Sequence, residues 1–377
     1  MQFKITKNIE NLEIEEIKDN LLHYSYDSKT LKALVKNNIS KDEISYITAY
    51  SSFVGEIYEN IIYELLFKYA LENDEIKSFV LKGPYQSKEH KFIKSGLLID
   101  RSSHIVYKSS YKDISEFDAL FFTSDSIYFV EMSTSKKTSS LNKRLAKKYA
   151  LLKIIFPSLQ IKALIVLTKG SNGIKNFPEY ATIWLTNDLQ DQDLIEKIIF
   201  AKRVKNELQT LNAPKNSKYI EAYSIKYKKF PYFPTLEWIL NTSRKHPKFE
   251  VDLRFFANPK MSLYFDIYTK LYIGYVTSND FKELFSDFCY IVKEDKIIVT
   301  LEKINQNEID IVYYVKETNE KLQRVRLCGD NNVSIKEKEP DGFTNAEVRF
   351  FMKVLEESHR LSIENIKHIL KNISIIK

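Results

Sequence analysis

Two cysteines, Cys289 and Cys328, in 377 residues leave no disulfide framework and no zinc-ligand spacing. No apolar run approaches the ~20 residues that cross a bilayer, so no membrane span is expected. The opening MQFKITKNIENLEIEE has early acids and no apolar core of a secretory signal. The expected location is cytoplasmic. No glycine-rich phosphate loop, Walker motif or nucleophile elbow occurs. The six histidines stand singly, and a lone histidine is more often structural than a ligand. Acid is missing from one long stretch: none lies between Glu131 and Glu179, where ten lysines and arginines fall. The net charge of +7 is mild for this length, but its clustering makes a polyanion such as nucleic acid the natural partner.

At this length two domains are expected. Residues 1–40 read as an N-terminal adaptor segment and 41–211 as the first domain. Residues 212–234, with Pro214, Pro231 and Pro234 among alternating aromatics and lysines, read as a linker. Residues 235–377 read as an α+β domain built on an antiparallel sheet. Its runs at 249–256, 262–267, 271–276, 296–303, 308–316 and 321–327 suggest strands, and 344–358 and 362–373 suggest closing helices. It offers no readable chemistry and is assigned specificity or partner binding, a second copy of the chain included.

Chemistry concentrates earlier. Ser40 and Glu43 fit a capping box for a helix to about Leu71, with Val54, Ile57, Tyr58, Ile61, Leu65 and Tyr69 as its buried stripe and Glu56 and Glu59 beside it. Residues 115–123 and 127–133 read as strands joined by a Ser124–Asp125 turn, with Asp118 and Glu131 set inside apolar surroundings. A carboxylate buried in an apolar strand is costly unless compensated, so two on neighbouring strands suggest a shared cation. A basic helix follows over 139–156, its stripe read as Leu141, Leu145, Tyr149, Leu152 and Phe156. The apolar run 161–168 then reads as a strand buried on both faces.

Helix, three strands, helix, strand, with acids at Asp118 (ISEFDALFF) and Glu131 (IYFVEMS) and a helix glutamate (GEIYENIIYELL), resembles the PD-(D/E)xK phosphodiesterase superfamily. The resemblance covers residues 41–168 and implies an α/β fold with a restriction-endonuclease-like αβββαβ core. It further implies a nuclease that hydrolyses phosphodiester bonds, DNA rather than RNA, with Mg2+ or Mn2+ held by Asp118 and Glu131 and assisted by Glu59. The family's lysine two residues after the glutamate is replaced by Ser133. Lys136 and Lys137 are the expected substitutes, strand parity favouring Lys137, with Lys143 a third. Lys136, Lys143, Arg144 and Lys147 are assigned to the nucleic-acid backbone. The alternative is a catalytically inactive member of the fold that binds nucleic acid or a protein.

Overall fold

The computed structural model describes residues 5–24, 26–81, 93–100, 104–109, 112–200, 218–230, 263, 266–267, 270–285, 296–305, 308–316, 322–327, 333–335 and 360–376. The chain is mixed α/β and divides into two units, Met1–Pro231 and Tyr232–Lys377. In chain order the first unit begins with β1 (Ile5–Ile9), α1 (Ile14–Leu21), α2 (Lys29–Lys36) and α3 (Ile44–Glu72). It continues with β2 (Ser78–Leu81), β3 (Gly96–Ile99), β4 (Ile105–Ser109), β5 (Lys112–Phe117), β6 (Ala119–Phe122) and β7 (Ser126–Ser133). Helix α4 (Leu141–Ile155), β8 (Gln160–Thr168), β9 (Ala181–Thr186) and α5 (Gln192–Phe200) follow.

Six strands form the main sheet in the order β1-β9-β8-β7-β6-β2. Strands β7, β8, β9 and β1 pair in parallel; β6 runs antiparallel beside β7, and β2 pairs antiparallel with β6 at the sheet edge. Strand β8 lies inside the parallel part, and its near-continuous apolar sequence is what burial on both faces demands. Side chains alternate between the faces of β7. Val130 and Met132 join a core with Ile57, Ile61 and Leu66 of α3. Glu131 therefore points to the opposite face, where it meets α4.

Several expectations are corrected here. The adaptor segment is part of the first unit: β1 completes the main sheet against β9, and Leu21, Tyr24 and Leu31 join the α3 core. The Ser40 capping box does not form, because Glu43 is extended and the helix starts at Ile44. Ser40 Oγ instead accepts the Asp42 N–H at 3.3 Å in the preceding turn. Residues 115–123 are not one strand. The chain leaves a small three-stranded antiparallel sheet, β3-β4-β5, at Phe117 and joins the main sheet at Ala119, turning at Asp118.

Residues 218–230 of the expected linker pack within the first unit. Phe79 N–H donates to the Lys218 carbonyl (2.8 Å) and Ile220 N–H to the Phe79 carbonyl (3.0 Å), which covers the outer edge of β2. Further on, the buried Tyr107 hydroxyl accepts the Phe230 N–H at 2.6 Å, and Ser109 Oγ donates to the Phe230 carbonyl at 2.6 Å. Residues 201–217 and 231–234 lie outside the described residues.

The second unit contains β10 (Lys270–Thr277), α6 (Ser278–Leu284), β11 (Lys296–Asn305), β12 (Glu308–Lys316), β13 (Leu322–Leu327), β14 (Val333–Ile335) and α7 (Ile363–Ile376). Its five strands form a separate antiparallel meander in sequence order. Residues 263, 266 and 267, expected in a strand, are helical. The expected strand at 249–256 and helix at 344–358 lie outside the described residues. Among the described residues no helix is long and apolar enough to cross a membrane.

Tyr107→Phe strands a buried N–H at Phe230. The expected loss is about 1–3 kcal/mol in urea unfolding. An unchanged midpoint would show that residues 218–230 are not anchored there.

Candidate active site

The corner at Asp118 has a local cause. The β6–β7 ladder ends at the pair Ala119 and Val130, and the next backbone donor on β7 has lost its strand partner because β5 belongs to the other sheet. The Asp118 carboxylate fills that position: Oδ2 accepts the Met132 N–H at 3.0 Å. Tyr63 of α3 reaches Oδ1 at 3.5 Å. Tyr63 is fully buried, and burial, followed by the charges of Asp118 and Glu59, pushes its pKa well above the usual tyrosine value. It is held as a donor. Continuing the antiparallel register one step beyond Ala119 sets Asp118 opposite Glu131.

Glu131 is 1% exposed, so its charge needs a partner. That partner is Lys148 of α4, 8% exposed, whose Nζ forms an ion pair with Glu131 Oε1. Arg144, one turn earlier, approaches Oε2 at 3.8 Å. Burial lowers the pKa of the Lys148 ammonium, opposed by the charges of Asp118, Glu116 and Glu59. Sequence reading missed Lys148. The signal was present: Leu141, Leu145, Lys148, Leu152 and Ile155 follow helical spacing, all five are buried, and the lysine interrupts the apolar stripe. Tyr149, assigned to that stripe, is instead half-buried and stacks on Tyr180 with centroids 4.3 Å apart.

Glu59, Asp118 and Glu131 line one cavity of about 1240 Å³ together with Arg144, Lys147 and Lys148. Glu56 lines it too, and its Oε2 accepts the Asp27 N–H at 2.9 Å. A further wall comes from the small sheet, through Asp100, His104, Asp113 and Glu116. His104 lies between two acids, Nδ1 3.7 Å from Asp100 and Nε2 3.8 Å from Glu116.

The other expected residues lie elsewhere. Ser133 does not line the cavity; β7 ends there and its Oγ accepts the Ser135 N–H at 3.1 Å. Lys137 is exposed beyond the strand end, bridged through its backbone to Asn172, and also lies outside the cavity. Lys136 Nζ is engaged by Asp188 (2.8 Å), Thr168 Oγ1 (2.9 Å) and the Lys169 carbonyl (2.6 Å), so it ties loops together. Lys143 is exposed on α4 and absent from the cavity wall.

The carboxylates of Asp118 and Glu131 are hard oxygen donors of the kind magnesium and manganese take. Among the described residues no three His, Cys, Asp or Glu side chains converge closely enough to hold an ion alone. That donor set still fits magnesium, which commonly binds through one or two carboxylates and completes its shell with water and substrate oxygens. Comparison with protein-family models gives no match, and no curated protein or solved structure is detectably similar to the chain.

Lys148→Met leaves Glu131 as an uncompensated buried charge, and the expected cost is about 3 kcal/mol in chemical denaturation. Adding Glu131→Gln should restore most of it. A double variant no more stable than Lys148→Met would show that the two charges do not compensate each other.

Proposed function

We propose that the first unit is a metal-dependent phosphodiesterase with a restriction-endonuclease-like core that hydrolyses nucleic acid, DNA in preference to RNA. The observation that carries this reading is the convergence of Glu59, Asp118 and Glu131 on one cavity, with Lys148 paired to Glu131. The element order supports it: α3, β2, β6, β7, α4 and β8 run as an αβββαβ series, with the β3–β5 sheet inserted after its first strand.

Asp118 and Glu131 would hold magnesium or manganese, with Glu59 directed at the same space. When bound, such an ion polarises the scissile phosphate and lowers the pKa of a water. Tyr63 and the Met132 N–H fix the Asp118 carboxylate from two directions. Lys148 supplies the cation that Ser133 lacks, from the next helix rather than from the strand. In a poorly solvated site its field acts strongly on developing phosphate charge. Arg144 and Lys147 bind the flanking backbone, a contact that weakens as salt rises.

The same ion pair favours a second reading. An ammonium already neutralises Glu131, as in a fold member that binds nucleic acid without cutting it. Incubation with plasmid, single-stranded DNA and RNA in magnesium or manganese separates the two. The expected outcome is cleavage that Asp118→Ala abolishes and Lys148→Ala slows by about 10²–10³-fold. Identical products from the unaltered protein and Asp118→Ala would eliminate the phosphodiesterase.

A further inference from the structure

We infer that the cavity accepts a single strand of nucleic acid and rejects a duplex. This rests on the phosphodiesterase reading and adds its substrate class. The cavity has two walls of opposite sign. Helix α4 contributes Arg144, Lys147 and Lys148 and contains no acid, though Lys148 is paired with Glu131 and Arg144 approaches the same carboxylate. The β3–β5 insertion contributes Asp100, Asp113 and Glu116. Two groups on that insertion face these acids: His104 between Asp100 and Glu116, and Lys108, whose Nζ is 3.0 Å from Asp113. Lys108 offsets one of the three acids, so the wall keeps a negative excess. Over the whole lining, eight carboxylates stand against four lysines and arginines.

A duplex carries about one phosphate charge per 1.7 Å of axis, divided between two backbones. Docking one backbone on α4 brings the other towards the acidic wall, where like charges repel. A single strand escapes this. Its phosphates lie along α4, and its bases turn towards carboxylates that accept hydrogen bonds from the exocyclic amines of cytosine and adenine. The inserted sheet, not the αβββαβ series, supplies the discriminating wall.

The test is fluorescence anisotropy of the full chain with a labelled 20-mer, as single strand and as duplex, in magnesium-free buffer at fixed salt. Cleavage of both substrates in magnesium is measured in parallel. The expected single-strand preference is about tenfold or more, with Lys147→Ala weakening binding of both forms. Asp113→Asn combined with Glu116→Gln should narrow the gap by strengthening duplex binding. Should that variant misfold by circular dichroism, Glu116→Gln alone suffices, since its side chain is 50% exposed. Equal affinity, a duplex preference, no binding of either form, or a gap that the charge-removing variants leave unchanged would each overturn the inference. Asp118-dependent cleavage in the same preparations keeps the phosphodiesterase standing if only the strand preference fails. Loss of that dependence with the preference intact would remove the chemistry and leave a single-strand-binding cavity.

Discussion

A carboxylate turned onto the covered face of a sheet sets the terms for everything around it. Glu131 sits on β7 between antiparallel β6 and parallel β8, almost wholly removed from water. Its charge is tolerated because α4 delivers Lys148 to it, with Arg144 one turn away. Such a pair gains little over apolar packing, since desolvating two ions offsets most of their attraction. Its presence in an otherwise apolar layer is therefore more readily explained by chemistry than by stability.

The second constraint is the break at Asp118. A strand continuing straight from 115 to 123 would satisfy Met132 N–H through its main chain. The chain instead changes sheets, and the Asp118 side chain takes over the lost hydrogen bond. One residue thus both closes the corner and brings a carboxylate to the cavity that Glu131 lines. The inserted sheet is the other product of the corner: it leaves the main sheet after β2 and returns at β6, walling the cavity with its own acids.

Much of the site was legible from local pattern. Asp118 and Glu131 stand out as charges inside apolar runs, Glu59 lies on a long helix that is buried nearly all round from Ile57 to Leu66 rather than along the one expected stripe, and Arg144 and Lys147 lie on an acid-free helix. Strand parity after Glu131 points to residues 133–137 and passes over Lys148, the partner that Glu131 takes. The strand ends at Ser133, and Lys136 is taken up by Asp188 and Thr168. Lys148 announced itself only as a polar member of a buried stripe, a feature that a one-residue shift to Tyr149 concealed.

Local sequence determined the elements whose apolar pattern is strong: the long apolar helix α3, the basic helix α4, the doubly buried strand β8 and the antiparallel series of the second unit. Each encodes its own burial pattern within a window of ten to thirty residues. Tertiary structure alone decided the pairing of β1 with β9, the docking of 218–230 on β2 and β4, the corner at Asp118 and the union of Lys148 with Glu131. These depend on backbone donors and charges finding partners far along the chain, and no local periodicity carries that information.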